Sequence, residues 1–441
     1  MLSDQKPREI AAHVLRQQFR EPADFVENLL EKEFARSHLS TVDRGLCQEL
    51  VYGVVRWRST LDSLIARKTD GRAQPSGLQT LLRLGLYQIF WLDRIPDHAA
   101  VNETVELAKR GGFGKQAGFV NAVLRGYLRD FDGTKKWLAD LQATDPSLGH
   151  SHPEWLIARW QKRWGPMETA QLLEWNNRPP KIFARVNHLK PAGLTDEQRT
   201  TALIEQWRAE TVEYDFVRRD WIEENLVFEL KSHPTLAQLP SFQEGRFYIQ
   251  DPSTLLAVRE LDPQPGDAVL DLCAAPGGKT TYIAQRMQNR GHIVAQDLSP
   301  DRLRLVEQNC ARLGADIVSF ELAETAPAAR DSQFDRILID APCSNTGVMR
   351  RRVDLRWRLR VEEIDRLRSM QLDLLRRAAP WLRPGGVLVY STCSLEPEEN
   401  ESVVEQFLEE HSAYRRERRR ELTPFRDGVD GAFVARLERK A

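Results

Sequence analysis

Cysteine is scarce in this chain: there are five in 441 residues, and no two form a CxxC pair. That excludes a disulfide framework and a thiolate zinc site, so no metal is expected and the thiols are free, as in a reducing compartment. Long apolar runs are missing too. None approaches the roughly 20 residues of a membrane span, and Met1-Leu2-Ser3-Asp4-Gln5-Lys6 has no apolar signal core. A cytoplasmic protein is expected, with no membrane partner. Net charge is also missing, at -1, so nothing global marks a nucleic-acid partner.

What is present divides the chain, whose length exceeds one ordinary core. Residues 1–140 carry helical spacing over 8–19, 23–34, 42–57, 78–91, 99–110 and 118–128, which predicts an all-helical domain. It holds 21 Lys and Arg against 18 Asp and Glu, a mild excess that identifies no partner by itself. Residues 144–153 read as a linker. A small α/β segment follows over 150–235, and from about 246 to 441 apolar strand-like runs alternate with helical ones. That alternation predicts a mostly parallel sheet covered on both faces, with ligands outside the carboxyl ends of its strands.

Three loops of this last domain carry chemistry. Cys273-Ala274-Ala275-Pro276-Gly277-Gly278-Lys279 joins its first strand to its first helix, and the glycines let a ligand approach the backbone. It is no P-loop, since Cys273 stands where the first glycine belongs, and the chain contains no GxGxxG. Asp297 ends the next strand, placed to accept hydrogen bonds from ribose hydroxyls. An adenosine-bearing cofactor without a pyrophosphate fits both features. Cys343, in Asp340-Ala341-Pro342-Cys343-Ser344, and Cys393, in Ser391-Thr392-Cys393-Ser394, each follow an apolar run. Two thiols at strand ends beside a small-molecule loop point to covalent catalysis. Their chemistry alone does not say which attacks. Cys47 and Cys310 fall inside helical patterns and read as packing residues, and Cys273 as a backbone contributor to the loop.

These three loops, with Thr346-Gly347 after the second and Pro397-Glu398-Glu399-Asn400 after the third, resemble the signature loops of the RNA cytosine-5 methyltransferases. Val51-Tyr52-Gly53, Leu82-Arg83-Leu84-Gly85 and Phe119-Val120-Asn121-Ala122 are similar to a NusB-like RNA-binding domain, and Ala184-Arg185-Val186-Asn187 to the segment that follows it in such enzymes. The resemblance covers nearly the whole chain. It implies a NusB-like helical domain, a small α/β middle segment and a Rossmann-like methyltransferase domain using S-adenosyl-L-methionine. It also implies a protein, expected to be a monomer, acting on 16S ribosomal RNA. Transfer RNA stays open as the substrate, as does a non-catalytic RNA-binding protein with a relic methyltransferase domain.

By the family pattern Cys393 attacks carbon 6 of cytosine, Cys343 assists release, and Asp340 lies between cofactor and base. The cofactor would be held by Cys273, Ala274, Ala275, Pro276, Gly277, Gly278, Lys279, Asp297 and Asp340. Asn345 departs from the family's small residue, and Arg352-Val353 from a His-Pro pair. For the acidic residue after the third strand, Glu321 and Glu324 both remain, Glu324 preferred. The six arginines against one aspartate in residues 349–360, with Trp357 among them, suit a phosphate-contacting surface. Arg415 to Arg420 read as an exposed connection before the final strand.

Overall fold

The computed structural model describes residues 6–20, 24–323 and 334–441, and the chain divides into two compact units. The first comprises residues 1–178 and 350–358. Its longer helices run Pro7–Arg20, Val26–Arg36, Thr41–Arg56, Arg58–Lys68, Ser76–Trp91, Asp97–Ala108, Ala117–Arg129, Phe131–Thr144 and Glu154–Asn177. The helix Ser76–Trp91 is apolar nearly all round and correspondingly buried on every face. Two of these helices, Arg58–Lys68 and Phe131–Thr144, are not among the spans predicted above, although Leu61, Leu64 and Ile65 of the first are buried at helical spacing.

Residues 144–153 are not a linker. They contain the short helix Pro146–Gly149, Ser151 and His152 are buried, and Thr60 donates to the Leu148 carbonyl at 2.5 Å. The arginine run is corrected in part: Arg352 and Arg360 are exposed, but others are not. Arg350 and Arg356 are 2% and 0% exposed, and Val353 joins the helical core. Trp357 donates its indole N–H to the Val55 carbonyl at 2.8 Å. Arg356 donates to Asn177 Oδ1 at 2.8 Å and to the Asn176 and Ser151 carbonyls at 3.0 and 3.2 Å. These side chains are packing and hydrogen-bonding groups of the first unit rather than a phosphate-contacting surface.

The second unit comprises residues 179–349 and 359–441. It opens with four strands, β1 (Ile182–Val186), β2 (Glu213–Phe216), β3 (Val227–Ser232) and β4 (Phe247–Ile249), in an antiparallel sheet of order β2-β3-β1-β4. Trp207 and Leu203 of the helix Asp196–Ala209 pack in its core.

Seven further strands form the large sheet: β5 (Ala268–Leu272), β6 (His292–Asp297), β7 (Val318–Leu322), β8 (Phe334–Asp340), β9 (Leu382–Thr392), β10 (Tyr414–Leu422) and β11 (Ala432–Arg439). Their order is β10-β11-β9-β8-β5-β6-β7, parallel from β7 to β9 and antiparallel at β11 and β10. Successive residues alternate between two cores, with Val269, Leu338 and Val389 on one face and Leu270, Ile337 and Leu388 on the other, the period-2 signature of a doubly covered sheet. Arg415 to Arg420 lie inside β10, an edge strand rather than a connection. Its charged residues disguise the strand pattern and blunt the open edge.

Candidate active site

The strand order reverses between β5 and β8, where β6 and β7 continue one way and β9 the other. Such a switch point leaves a crevice outside the carboxyl ends of the strands. Here β5 delivers the loop from Cys273, β8 delivers Asp340, and β9 delivers Cys393.

The loop after β5 is shaped by backbone it could adopt only locally. Cys273 has φ +60 and Gly277 φ +100, and the helix Gly278–Arg286 starts directly after. At Gly277 a side chain would be strained by that φ and would press on Val306. Behind the loop, the buried Arg185 of β1 donates to the Gly278 carbonyl at 2.8 Å and to the Thr281 hydroxyl at 3.0 Å. Its flanking Asn187 donates to the Gly245 and Leu313 carbonyls at 2.7 and 2.8 Å. The middle sheet thereby braces the loop.

Three carboxylates gather at the strand ends. Asp271 is fully buried, accepts the Thr280 hydroxyl at 2.6 Å, and has one oxygen with no partner. Burial raises its pKa to about 7. Asp297 accepts the Ala275 and Ser299 amides at 3.2 and 3.3 Å, with the Arg302 guanidinium 3.5 Å away; a carboxylate retains acceptor capacity beyond two bonds. Asp340 accepts from Lys279 Nζ at 2.7 Å. Burial pushes Lys279 down, but the Asp340 charge and hydrogen bond outweigh it and leave the ammonium above its ordinary range.

Beside Asp340 the sulfurs of Cys343 and Cys393 are 3.4 Å apart. Asn345, at φ +58, donates its amide nitrogen to the Cys343 carbonyl at 2.6 Å, and its Oδ1 accepts from the Cys393 thiol at 3.1 Å. The two loops approach so closely that a Cβ on Gly347 would lie 2.6 Å from the Cys393 carbonyl oxygen. The hydrogen bond to the Cys393 sulfur, followed by burial, pushes the Cys343 thiol well above its ordinary value. Burial pushes Cys47, Cys273 and Cys310 up to about 12, which removes them as thiolates near neutrality.

The structure thus brings together the loop from Cys273 to Lys279, Asp297, Asp340, Cys343 and Cys393. Glu321 of β7 accepts from Gln296 Nε2 of β6 at 3.0 Å, and Glu324 lies outside the described residues. Asp271, Arg185 and Glu399 were missed as participants. Asp271 had a local signal, its place one residue before the strand end, whereas the other two act across the tertiary structure.

Residues 258–438 match the family model described as 16S rRNA methyltransferase RsmB/F; residues 5–129 match the NusB family, and 152–209 the ferredoxin-like domain of RsmF/B-like methyltransferases. A probable ribosomal RNA small subunit methyltransferase B of Bacillus subtilis is 36% identical over 94% of each chain. One from Synechocystis is 37% identical over 93% of this chain and 90% of its own. The chain belongs to the 16S rRNA methyltransferase RsmB/F family. The crystal structure of PH0851 covers 99% of this chain and 100% of its own at 25% identity and TM-score 0.76. A methyltransferase homolog protein from Pyrococcus horikoshii covers 67% and 98% at 30% identity and TM-score 0.56.

The methyl donor of an RsmB/F methyltransferase is S-adenosylmethionine, and the residues present fit it. Three carboxylates, one with an unpartnered buried oxygen, suit a ligand with sulfonium and ammonium cations and ribose hydroxyls. The Gly277-Gly278 backbone suits close approach. Among the described residues no helix is long and apolar enough to cross a membrane.

Proposed function

We propose that the chain methylates carbon 5 of one cytosine in 16S ribosomal RNA through a covalent bond between Cys393 and carbon 6 of that base. The observation that carries this reading is the pair of sulfurs 3.4 Å apart, beside Asp340 at the switch point of the sheet. S-adenosylmethionine, when bound, supplies an electrophilic methyl group. The backbone from Cys273 to Gly278 and the carboxylate of Asp297 hold it, and Asp340, oriented by Lys279, faces both cofactor and base.

Carbon 5 of cytosine is a weak nucleophile, and this chain's residues must activate it. The Cys393 thiol loses its proton to solvent, its sulfur bonds to carbon 6, and the carbon 5–carbon 6 π pair moves to carbon 5. After methylation, carbon 5 carries both a methyl group and a hydrogen. Cys343 takes that proton; the released pair re-forms the double bond, and the bond to Cys393 breaks to return a thiolate. The order of thiols is that of the family pattern. The hydrogen bond to the Cys393 sulfur, followed by burial, holds the Cys343 thiol well above its ordinary value, which supports its keeping its proton while Cys393 attacks. Once Cys393 is bonded to carbon, its sulfur carries no charge, that push is gone, and Cys343 releases its own proton to water more readily, freeing it to act as a base.

The target cytosine has to leave its stack to reach these sulfurs, which favours a single-stranded or locally opened site. Bisulfite sequencing of total RNA from cells with and without the gene tests the reading. One 16S cytosine should lose its protection in the deletion strain. Loss in a transfer RNA instead would overturn the substrate, and no change anywhere would overturn the reaction.

A further inference from the structure

We infer that Glu399 is the positioning residue that sets the spacing of the two thiols, by clamping the loop that carries Cys343 to the loop that carries Cys393. The inference deepens the proposed function and rests on its reading of both sulfurs as reactive groups. Glu399 is 0% exposed and ends the short turn Pro397–Glu399. Its Oε1 accepts the Ser344 amide at 2.8 Å and Gln371 Nε2 at 3.0 Å. Its Oε2 accepts the Ser394 hydroxyl at 2.5 Å and the Ser344 hydroxyl. Ser344 directly follows Cys343, and Ser394 directly follows Cys393. One carboxylate therefore holds the residue after each thiol.

Other bonds brace the same clamp. The Gln371 amide also donates to the Pro342 carbonyl at 2.9 Å, which fixes the residue before Cys343. Tyr390 of β9 donates to the Glu399 carbonyl at 2.6 Å, which ties the clamp to the strand leading into Cys393. A carboxylate is costly to bury, and an apolar contact between two loops would avoid that cost. What an apolar pair cannot supply is a rigid fork whose two oxygens fix both loops at defined distances. The sulfur–sulfur hydrogen bond and the Asn345 bonds link the cysteines themselves, and the Glu399 carboxylate fixes the backbone positions from which both side chains reach.

The two oxygens tolerate change differently. Oε1 faces N–H donors, whereas Oε2 faces hydroxyls, which accept as well as donate. Glu399→Gln can keep its oxygen toward the N–H groups and turn its amide nitrogen to the serines, so the clamp survives without its charge. Glu399→Ala removes every bond of the carboxylate and leaves the Tyr390 bond to the main-chain carbonyl.

The test treats the full chain with dibromobimane, which bridges two thiols only when they are adjacent, and identifies the bridged Cys343–Cys393 peptide by mass spectrometry. Methyl transfer is measured in parallel. Bridging in Glu399→Gln should match the parent chain, with kcat within fivefold. In Glu399→Ala, bridging and kcat should each fall at least tenfold, with KM for the cofactor within twofold. If that variant does not fold, Ser344→Ala combined with Ser394→Ala removes both hydroxyl bonds and should lower bridging about threefold. Undiminished bridging in Glu399→Ala, or in the double serine variant where it replaces it, overturns the clamp, as does a loss that glutamine fails to restore. Bridging that follows the clamp while Cys393→Ala still methylates would refute the roles given to the thiols and leave the clamp standing.

Discussion

Lys279 Nζ donates to Asp340 Oδ2 at 2.7 Å, joining the first turn of the helix after β5 to the carboxyl end of β8. The bond spans the switch point of the sheet, where cofactor and base must meet. If the pair works as a unit, Lys279→Met and Asp340→Asn should each lower kcat/KM by about 10- to 100-fold, and the double variant little more than the worse single. Non-additivity of about 0.5–3 kcal/mol is the usual size for residues in contact. A double variant showing the product of both losses would mean that the two act separately.

The thiols separate by the species each variant accumulates. Cys393→Ala should abolish methyl transfer while S-adenosylmethionine still raises the melting temperature, because a ligand selective for the native state must stabilise it. Cys343→Ala should leave attack intact and slow release, so a protein–RNA adduct stable to denaturing electrophoresis should build up. An adduct with the first variant and none with the second would reverse the roles.

The site was legible in sequence where its residues act through contiguous loops. Asp340, Cys343 and Cys393 each follow an apolar strand, and the loop from Cys273 to Lys279 carries its own glycines. The parallel sheet was legible for the same reason, since each strand is a run of its own. Glu399 and Arg185 fall inside motifs that carry the family resemblance, but their roles were not legible, because Glu399 reaches Ser344 and Arg185 reaches Gly278, each far away in the chain. Within the run from Arg350 to Arg360, Arg350 and Arg356 are buried while Arg352 and Arg360 stay exposed, a division invisible in sequence because charge is a local property and burial is not. Arg356 looks like a phosphate contact until the acceptors waiting for it around Ser151 and Asn177 are known.

That corrected placement gives a measurable difference. Arg356→Met removes donors from carbonyls that stay buried, which costs about 1–3 kcal/mol for each group left unpaired. The first unit should lose roughly 2–4 kcal/mol of stability in urea unfolding. RNA affinity, measured below the unfolding range, should keep its dependence on salt. A lost phosphate contact to single-stranded RNA would instead flatten the slope of log K against log salt by about 0.7. A flattened slope with unchanged stability would restore the phosphate-contacting reading of Arg356.

Asp271 supplies a prediction in pH. Burial raises its pKa to about 7 from 3.8, so between these values the folded protein holds a proton that the unfolded chain has lost. Stability from this group is fully present below about pH 4 and falls as pH rises to about 7, by about 1.4 kcal/mol per unit and at most roughly 4 kcal/mol in all. Asp271→Asn is neutral throughout. Its oxygen can keep the Thr280 hydroxyl, but its amide nitrogen takes the place of the unpartnered oxygen and buries unpaired N–H donors, a cost of about 1–3 kcal/mol at every pH. The melting curves of the second unit should therefore cross. The variant should melt below the parent at pH 4, where the parent keeps nearly all of this stability, and above it at pH 8, where the parent buries a charge. Comparing the two proteins at each pH cancels the other titrating groups. Parallel curves from pH 4 to pH 8 would mean that the buried carboxyl does not ionise in this range.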